Sequence, residues 1–294
     1  MRILIAGDSL TLPRPYRINS YDPHQESELA VKYSETYGSL IQRELCKLYP
    51  HKEIEVINRG QRGFTIKHIL NQIHDHVYYF QPDVLILHVG IVDCWFREEL
   101  NGRQFVNLND FEKGVSEVVK IINSNDTTKL IIIGIAPTSL KMEERYKGLL
   151  EEIKKYNKIL REQVDYNTIF FIDLENHIQP ENPHKYLLMD DQHLNKEGNR
   201  LIFNDINNII CALIENQIGV ECFQGSSSIK QALNHFNCSF AHYPFYLDNL
   251  YNILLLSLEL KDIESINLIL KTLEGIQINN HELIELIDYV KHNY

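Results

Sequence analysis

Short apolar runs alternate along the chain with longer segments whose apolar residues recur every three or four positions. The short runs favour β-strands and lie at residues 2–6, 53–57, 83–89, 129–135 and 168–173. The last three contain uninterrupted apolar stretches, at 84–87, 130–133 and 169–172. A strand that is apolar on both faces is covered on both faces, as in a parallel sheet flanked by helices. The pattern therefore predicts a buried parallel sheet of five strands.

The longer segments have helical spacing and lie at residues 34–48, 66–79, 109–123, 141–164 and 195–217. Strands that alternate with helices in this way form open α/β sheets with right-handed crossovers. We expect a three-layer α/β/α domain over residues 1–217, in which helices cover both faces of the sheet.

The pattern changes after about Gly219. Residues 220–228 contain Cys, Gly and Ser, and three apolar-striped helical segments follow at 246–260, 262–273 and 281–292. Consecutive helices of this length stack as hairpins. We therefore expect a small all-helical module over residues 218–294, which acts as a lid, joins copies of the chain or docks a protein partner.

Composition narrows the class of protein. The 29 basic and 40 acidic residues give a net charge of −11, which argues against sequence-independent binding of nucleic acid. No apolar stretch reaches the roughly 18 residues of a membrane span. The first apolar run is short and ends at a turn, so it predicts a buried strand rather than a signal peptide, and we expect a cytoplasmic location. The five Cys residues are scattered without metal-site spacing, which favours reduced, mostly buried thiols.

Ligands of open α/β sheets bind where the strands end, so the residues that follow each strand are the candidates for chemistry. The first strand is followed by Gly7-Asp8-Ser9-Leu10, the second by Asn-Arg-Gly-Gln-Arg-Gly at 58–63, and the third by Gly-Ile-Val-Asp-Cys at 90–94. A fourth block, Asp-Asp-Gln-His at 190–193, precedes the last helix of the domain.

These four blocks, in this order, resemble the SGNH (GDSL) hydrolase family over roughly residues 1–217. The resemblance implies a flavodoxin-like sheet and a serine esterase that needs no metal or organic cofactor. It implies that Ser9 is the nucleophile and His193 the base that takes its proton. Asp190, three residues before His193, is the acid that orients the imidazole, and Asp191 is the alternative.

Acyl transfer also needs hydrogen-bond donors for the oxyanion. The resemblance implies the backbone N–H groups of Ser9 and Gly63, with Gly60 as the alternative to Gly63. The third block departs from the family pattern, because Val92 stands where an Asn side chain is expected. Loss of one such donor costs about 2.7–4 kcal/mol of transition-state stabilisation. Candidate replacements are Arg62, Arg97 and the local backbone.

A long segment, residues 10–30, separates Ser9 from the first helix and predicts a lid or a binding loop. We expect the substrate to contact Asp8, Arg62, Asp93, Trp95 and Arg97. Arginines near the expected cleft would suit a polar or anionic substrate, namely Arg14, Arg17, Arg59, Arg62 and Arg97.

Two classes of function remain open. The first is an esterase that removes a small acyl group, acetyl above all, from a carbohydrate or related ester, or transfers it to a sugar hydroxyl. The second is a glycan-binding or scaffold protein with weakened catalysis. Val92 favours the second class, and the complete set of Ser9, Asp190 and His193 opposes it.

Overall fold

The chain forms two compact units. A computed structural model describes residues 1–14, 31–125, 127–225, 229–278 and 280–293. The first unit comprises Met1–Val164 and Thr168–Ile206, and the second comprises Asp165–Asn167 and Asn207–Tyr294. Most of the predicted loop, residues 15–30, lies outside the described residues.

The first unit contains the predicted parallel sheet of five strands. They are β1 (Arg2–Gly7), β2 (Glu55–Asn58), β3 (Val84–His88), β4 (Lys129–Ile133) and β5 (Ile169–Ile172). Their spatial order is β2-β1-β3-β4-β5. The winding reverses between β1 and β3, so the crevice of the sheet lies beyond the carboxyl ends of these two neighbours.

Seven α-helices begin within the described part of the first unit. They are α1 (Tyr37–Leu48), α2 (Ile66–His74), α3 (Ile91–Cys94), α4 (Leu108–Asn123), α5 (Leu140–Arg145), α6 (Leu149–Arg161) and α7 (Lys196–Gln224). The boundary between the two units falls inside α7.

Helices cover both faces of the sheet, which confirms the three-layer prediction. Leu4 and Ala6 of β1 belong to a buried cluster with apolar residues of α2, α4 and α6. Ile3 and Ile5 point to the opposite face and are also fully buried. On that face α1 lies so close that a Cβ on its Gly38 would be 2.8 Å from Ile5 Cδ1.

Two predicted helices differ most in their bounds from the structure. The predicted helix 141–164 is divided into α5 and α6, because Gly148 adopts a φ of 92° that a helix interior does not allow. The predicted helix 195–217 continues to Gln224. Gly219 is not a break but a packing position, where a Cβ would lie 2.5 Å from the ring of Phe236.

The second unit is helical, as expected for the end of the chain. Besides the end of α7 it contains α8 (Ile229–His242), α9 (Leu247–Leu260), α10 (Ile263–Leu273) and α11 (His281–Asn293). Its core is an apolar cluster that includes Phe236, Leu250, Leu254, Ile266 and Ile287. Among the described helices, none is both long enough and apolar enough to cross a membrane.

Candidate active site

Ser9 lies two residues after the end of β1, at the start of a short 3₁₀ helix whose N-cap is Asp8. Gly7 before it packs so closely against β3 that a Cβ would lie 2.2 Å from the His88 carbonyl oxygen. Asp8 is fully buried, and its Oδ1 accepts the backbone N–H of Leu10 at 2.8 Å. These contacts fix the backbone on both sides of Ser9 at the carboxyl end of the sheet.

His193 and Asp190 lie in one tight turn before α7. Asp190 Oδ1 accepts the backbone N–H groups of Gln192 at 3.2 Å and His193 at 2.9 Å. The backbone N–H of Leu188 donates to the His193 carbonyl at 2.7 Å and closes the turn from the other side. The turn therefore holds the carboxylate and the imidazole together.

Ser9, His193 and Asp190 form one continuous chain of contacts. Ser9 Oγ lies 2.9 Å from His193 Nε2, and His193 Nδ1 lies 2.9 Å from Asp190 Oδ2. The alternative acid, Asp191, instead lies 3.2 Å from Nε2 of His184. The geometry therefore favours Asp190 over Asp191 as the partner of His193.

Asp190 is held in its ionised form. Burial alone would raise its pKa, but hydrogen bonds from the His193 side chain and backbone, together with the Arg14 charge, lower it to about 2. A carboxylate that stays ionised can accept the Nδ1 proton of a neighbouring imidazole throughout the neutral range.

A cavity of about 210 Å³ opens beside Ser9 Oγ and His193. The described residues that line it are Ser9, Leu12, Pro13, Arg14, Arg62 and His193. Arg14 also reaches the acid, with Nη2 2.8 Å from Asp190 Oδ2. The sequence placed Arg14 in a loop near the cleft, but nothing in it indicated a contact with residues near 190.

The backbone N–H groups of Ser9 and Gly63 are the expected donors to an oxyanion. Neither Ser9 N–H nor Gly63 N–H donates to any of the residues that the structure describes. Gly63 is exposed and has a φ of 74°. The N–H of the alternative, Gly60, already donates to Asn58 Oδ1 at 2.9 Å. Of the two glycines, only Gly63 has an N–H without a partner among the described residues, which favours Gly63 as the donor.

The structure shows which of the candidate replacements for the missing Asn side chain lie at the cavity. Val92 is buried in α3 and brings no polar group to the site. Arg97 stacks on Phe105, with its guanidinium carbon 4.9 Å from the ring centre, and does not line the cavity. Arg62 does line it, next to Ser9.

Three other residues expected at the substrate lie inside the domain. Asp8 and Asp93 are fully buried, and Asp93 Oδ1 accepts the N–H of Ile66 at the start of α2 at 2.9 Å. Burial raises the pKa of both carboxyls to about 7. Trp95 is 6% exposed and packs edge-on against Tyr146. Their placement favours support of the surrounding loops over contact with a substrate.

The sequence and fold of this site have counterparts among known proteins. Residues 5–201 match the family described as GDSL-like lipase/acylhydrolase. This match covers more than half of the chain, so the chain belongs to that family. The protein is accordingly a carboxylic ester hydrolase. No curated protein matches it by sequence.

Several solved structures share the fold of the first unit. The acetylxylan esterase Axe2 from Geobacillus stearothermophilus is 18% identical over 69% of this chain and 90% of its own, with a TM-score of 0.53. The lipase/acylhydrolase from Enterococcus faecalis is 20% identical over 70% and 96%, with a TM-score of 0.52. The acetyl xylan esterase AlAXEase is 22% identical over 69% and 96%, with a TM-score of 0.52. At these identities the likeness concerns the fold.

Proposed function

We propose that the protein is a serine esterase that removes a small acyl group, above all acetyl, from a carbohydrate or related ester. Ser9 is the nucleophile, His193 the general base and acid, and Asp190 the residue that orients His193. The observation that carries this proposal is the unbroken chain from Ser9 Oγ through both imidazole nitrogens to Asp190, with 2.9 Å at each step.

The reaction follows from these contacts. Ser9 Oγ attacks the ester carbonyl carbon while His193 Nε2 takes the hydroxyl proton. The backbone N–H groups of Ser9 and Gly63 donate to the oxyanion that forms. The tetrahedral intermediate collapses, His193 returns the proton to the departing alcohol oxygen, and the acyl group remains on Ser9. Water then attacks the acyl-serine by the same steps and releases the carboxylic acid.

The small acyl group is supported by the cavity beside Ser9, whose volume is about 210 Å³. The carbohydrate is supported by the neighbours in fold, because two of those reported above are named acetylxylan esterases. Two further structures of Axe2 are described as catalytic mutants, one at a serine and one at an aspartate. These residue types agree with the roles proposed for Ser9 and Asp190.

Acetate release from an acetylated xylo-oligosaccharide and from 4-nitrophenyl acetate tests the proposal. The wild type should release acetate, and Ser9→Ala should lose about 10³-fold or more in kcat. Ser34→Ala is the matched control, because Ser34 is exposed and outside the site, and it should keep the wild-type rate. Equal release by Ser9→Ala and wild type would exclude Ser9 as the nucleophile. Added sugar acceptors would reveal acyl transfer as a Ser9-dependent acylated product.

A further inference from the structure

Arg14, Asp190 and His193 meet at a single atom of the imidazole ring. His193 Nδ1 lies 2.9 Å from Asp190 Oδ2 and 2.5 Å from Arg14 Nη1. The other guanidinium nitrogen, Arg14 Nη2, lies 2.8 Å from the same Asp190 Oδ2. Arg14 thus touches both of the residues that would prepare Ser9.

These contacts cannot all be hydrogen bonds at once. A guanidinium has only donors, so Arg14 can hydrogen-bond to Nδ1 only when this nitrogen carries no proton. In that case the proton of the neutral ring is on Nε2, the nitrogen that faces Ser9 Oγ. A ring in this form donates to Ser9 and cannot take its proton.

The reaction needs the opposite tautomer. With the proton on Nδ1, His193 donates to Asp190, and Nε2 is free to accept from Ser9. Arg14 Nη1 would then face the Nδ1–H group at 2.5 Å, a distance at which two hydrogen-bond donors repel each other. The position of Arg14 in this structure therefore favours the unreactive tautomer and lowers the fraction of molecules in which Ser9 is reactive.

Arg14 is free to move towards the cavity. Its side chain is 40% exposed and lines the cavity with Ser9 and Arg62. Its backbone is fixed independently, by mutual N–H to carbonyl hydrogen bonds with Val31 at 2.9 and 3.3 Å. A turn of the side chain alone can therefore take the guanidinium from His193 to a ligand in the cavity.

The lining of the cavity favours a negatively charged ligand. Among its described residues two are arginines and none is an acid. Arg62 has no hydrogen bond or ion pair within the described part of the chain. A carboxylate accepts two parallel N–H groups from a guanidinium, so it can compete with Asp190 for Arg14.

We propose that Arg14 is a specificity-determining residue that favours the unreactive tautomer of His193, and that an anionic group of the substrate removes this bias when it binds the guanidinium. The substrate class is an O-acylated carbohydrate that carries a carboxylate near the ester. This inference rests on the proposed function of Ser9 and His193. It adds that acidic esters are preferred because they release His193 as they bind.

The ring tautomer is the direct readout, because it does not depend on activity. Nitrogen-15 NMR of histidine-labelled protein at about pH 8, where an ordinary imidazole is neutral, separates the two forms. The His193 signal is assigned with a His193→Gln variant. The ligand-free wild type should carry the proton mainly on Nε2, and both Arg14→Met and wild type saturated with glucuronate should carry it mainly on Nδ1. A ligand-free wild type with the proton on Nδ1 would overturn the inference.

Kinetics on a matched pair of esters give the second readout. The wild type should prefer acetylated glucuronic acid over acetylated glucose by about tenfold or more in kcat/KM. Arg14→Met should raise kcat on the neutral ester and abolish the preference, and Arg14→Lys should restore part of it. Arg200→Met is the control, because Arg200 is exposed on α7, and it should behave as the wild type. An equal loss of kcat/KM on both esters in Arg14→Met would show that Arg14 only supports the structure of the site, and would overturn its role in specificity.

The two proposals fail in different ways. If the wild type hydrolyses no ester and takes up no fluorophosphonate, the proposed function is wrong, while the tautomer of His193 still tests the contact with Arg14. If esters are hydrolysed at Ser9 without a preference for the acidic sugar, only the role of Arg14 is wrong.

Discussion

Replacement of Asp190 by Asn isolates the part that the carboxylate plays. Asp190 Oδ1 accepts two backbone N–H groups, from Gln192 and His193. The amide oxygen of the variant should keep this position, because the amide nitrogen cannot accept a hydrogen bond. The nitrogen then takes the place of Oδ2 and points an N–H at His193 Nδ1. The proton of the ring is driven to Nε2, where it blocks the base.

The size of the effect follows from this arrangement. An Asp-to-Asn change that imposes the wrong tautomer on a Ser-His-Asp site lowers kcat by about 10⁴, or about 5 kcal/mol. The cost in stability should be much smaller. The pKa of Asp190 falls from 3.8 to about 2 on folding. Because its side chain is 28% exposed, solvent screening reduces the contribution to stability to about 1–2 kcal/mol. This contribution is present above about pH 4 and is lost as the pH falls towards 2.

The assay is steady-state hydrolysis of 4-nitrophenyl acetate, with thermal unfolding measured on the same samples. Asp191→Asn is the matched control, because Asp191 faces His184 and makes no contact with His193 in the described structure. It should retain wild-type kcat within a few-fold. If Asp190→Asn kept more than about a tenth of the wild-type kcat, the carboxylate would not be orienting His193, and the reasoning would be refuted.

Three further predictions concern stability. Burial raises the pKa of Asp93 from 3.8 to about 7, so the folded protein retains a proton that the unfolded chain loses, and stability falls as the pH rises through this window. In urea unfolding, the stability of Asp93→Asn relative to the wild type should therefore increase between about pH 4 and 7. The increase is at most about 1.4 kcal/mol per unit of pKa shift, and a stability difference that does not change with pH would contradict this. The Asn157 side chain makes two hydrogen bonds with the backbone of Ile135, at 2.7 and 2.9 Å. Asn157→Leu should therefore lower the free energy of unfolding by about 2–4 kcal/mol in the same assay. A change below about 1 kcal/mol would be inconsistent with the burial of those groups. Gly219→Ala should lower the free energy of unfolding by about 1–3 kcal/mol, because the added methyl group clashes with Phe236. Adding Phe236→Leu to the same chain should recover part of that loss. If the effects of the two substitutions are simply additive, the two residues do not touch.

The sheet could be predicted because three of its five strands are apolar on both faces. The stretch at 84–87 lies within β3, whose residues are all buried. The turn that joins Asp190 to His193 was also within reach, since a three-residue spacing is a local property. By contrast, the bounds of α7 could not be predicted, because Gly219 looks the same as a helix end until Phe236 is known to pack on it.

The contact between Arg14 and the turn that contains Asp190 could not be predicted from the sequence for a different reason. It joins positions 179 residues apart, and it depends on where the chain turns after Ser9. The burial of Asp8 and Asp93 could not be predicted from the sequence either, because an acidic residue in an active-site loop can equally face solvent or hold the loop in place. Only the packing of Gly7 against β3 and the capping of Ile66 by Asp93 distinguish these cases.

Covalent labelling of Ser9 is the strictest test of whether Ser9 is an activated nucleophile. The protein is treated with a fluorophosphonate, and the modified residue is located by peptide mass spectrometry. We expect one adduct on Ser9, none on Ser9→Ala, and strongly slowed labelling of Asp190→Asn. An unlabelled wild type, or a label that persists in Ser9→Ala, would contradict it.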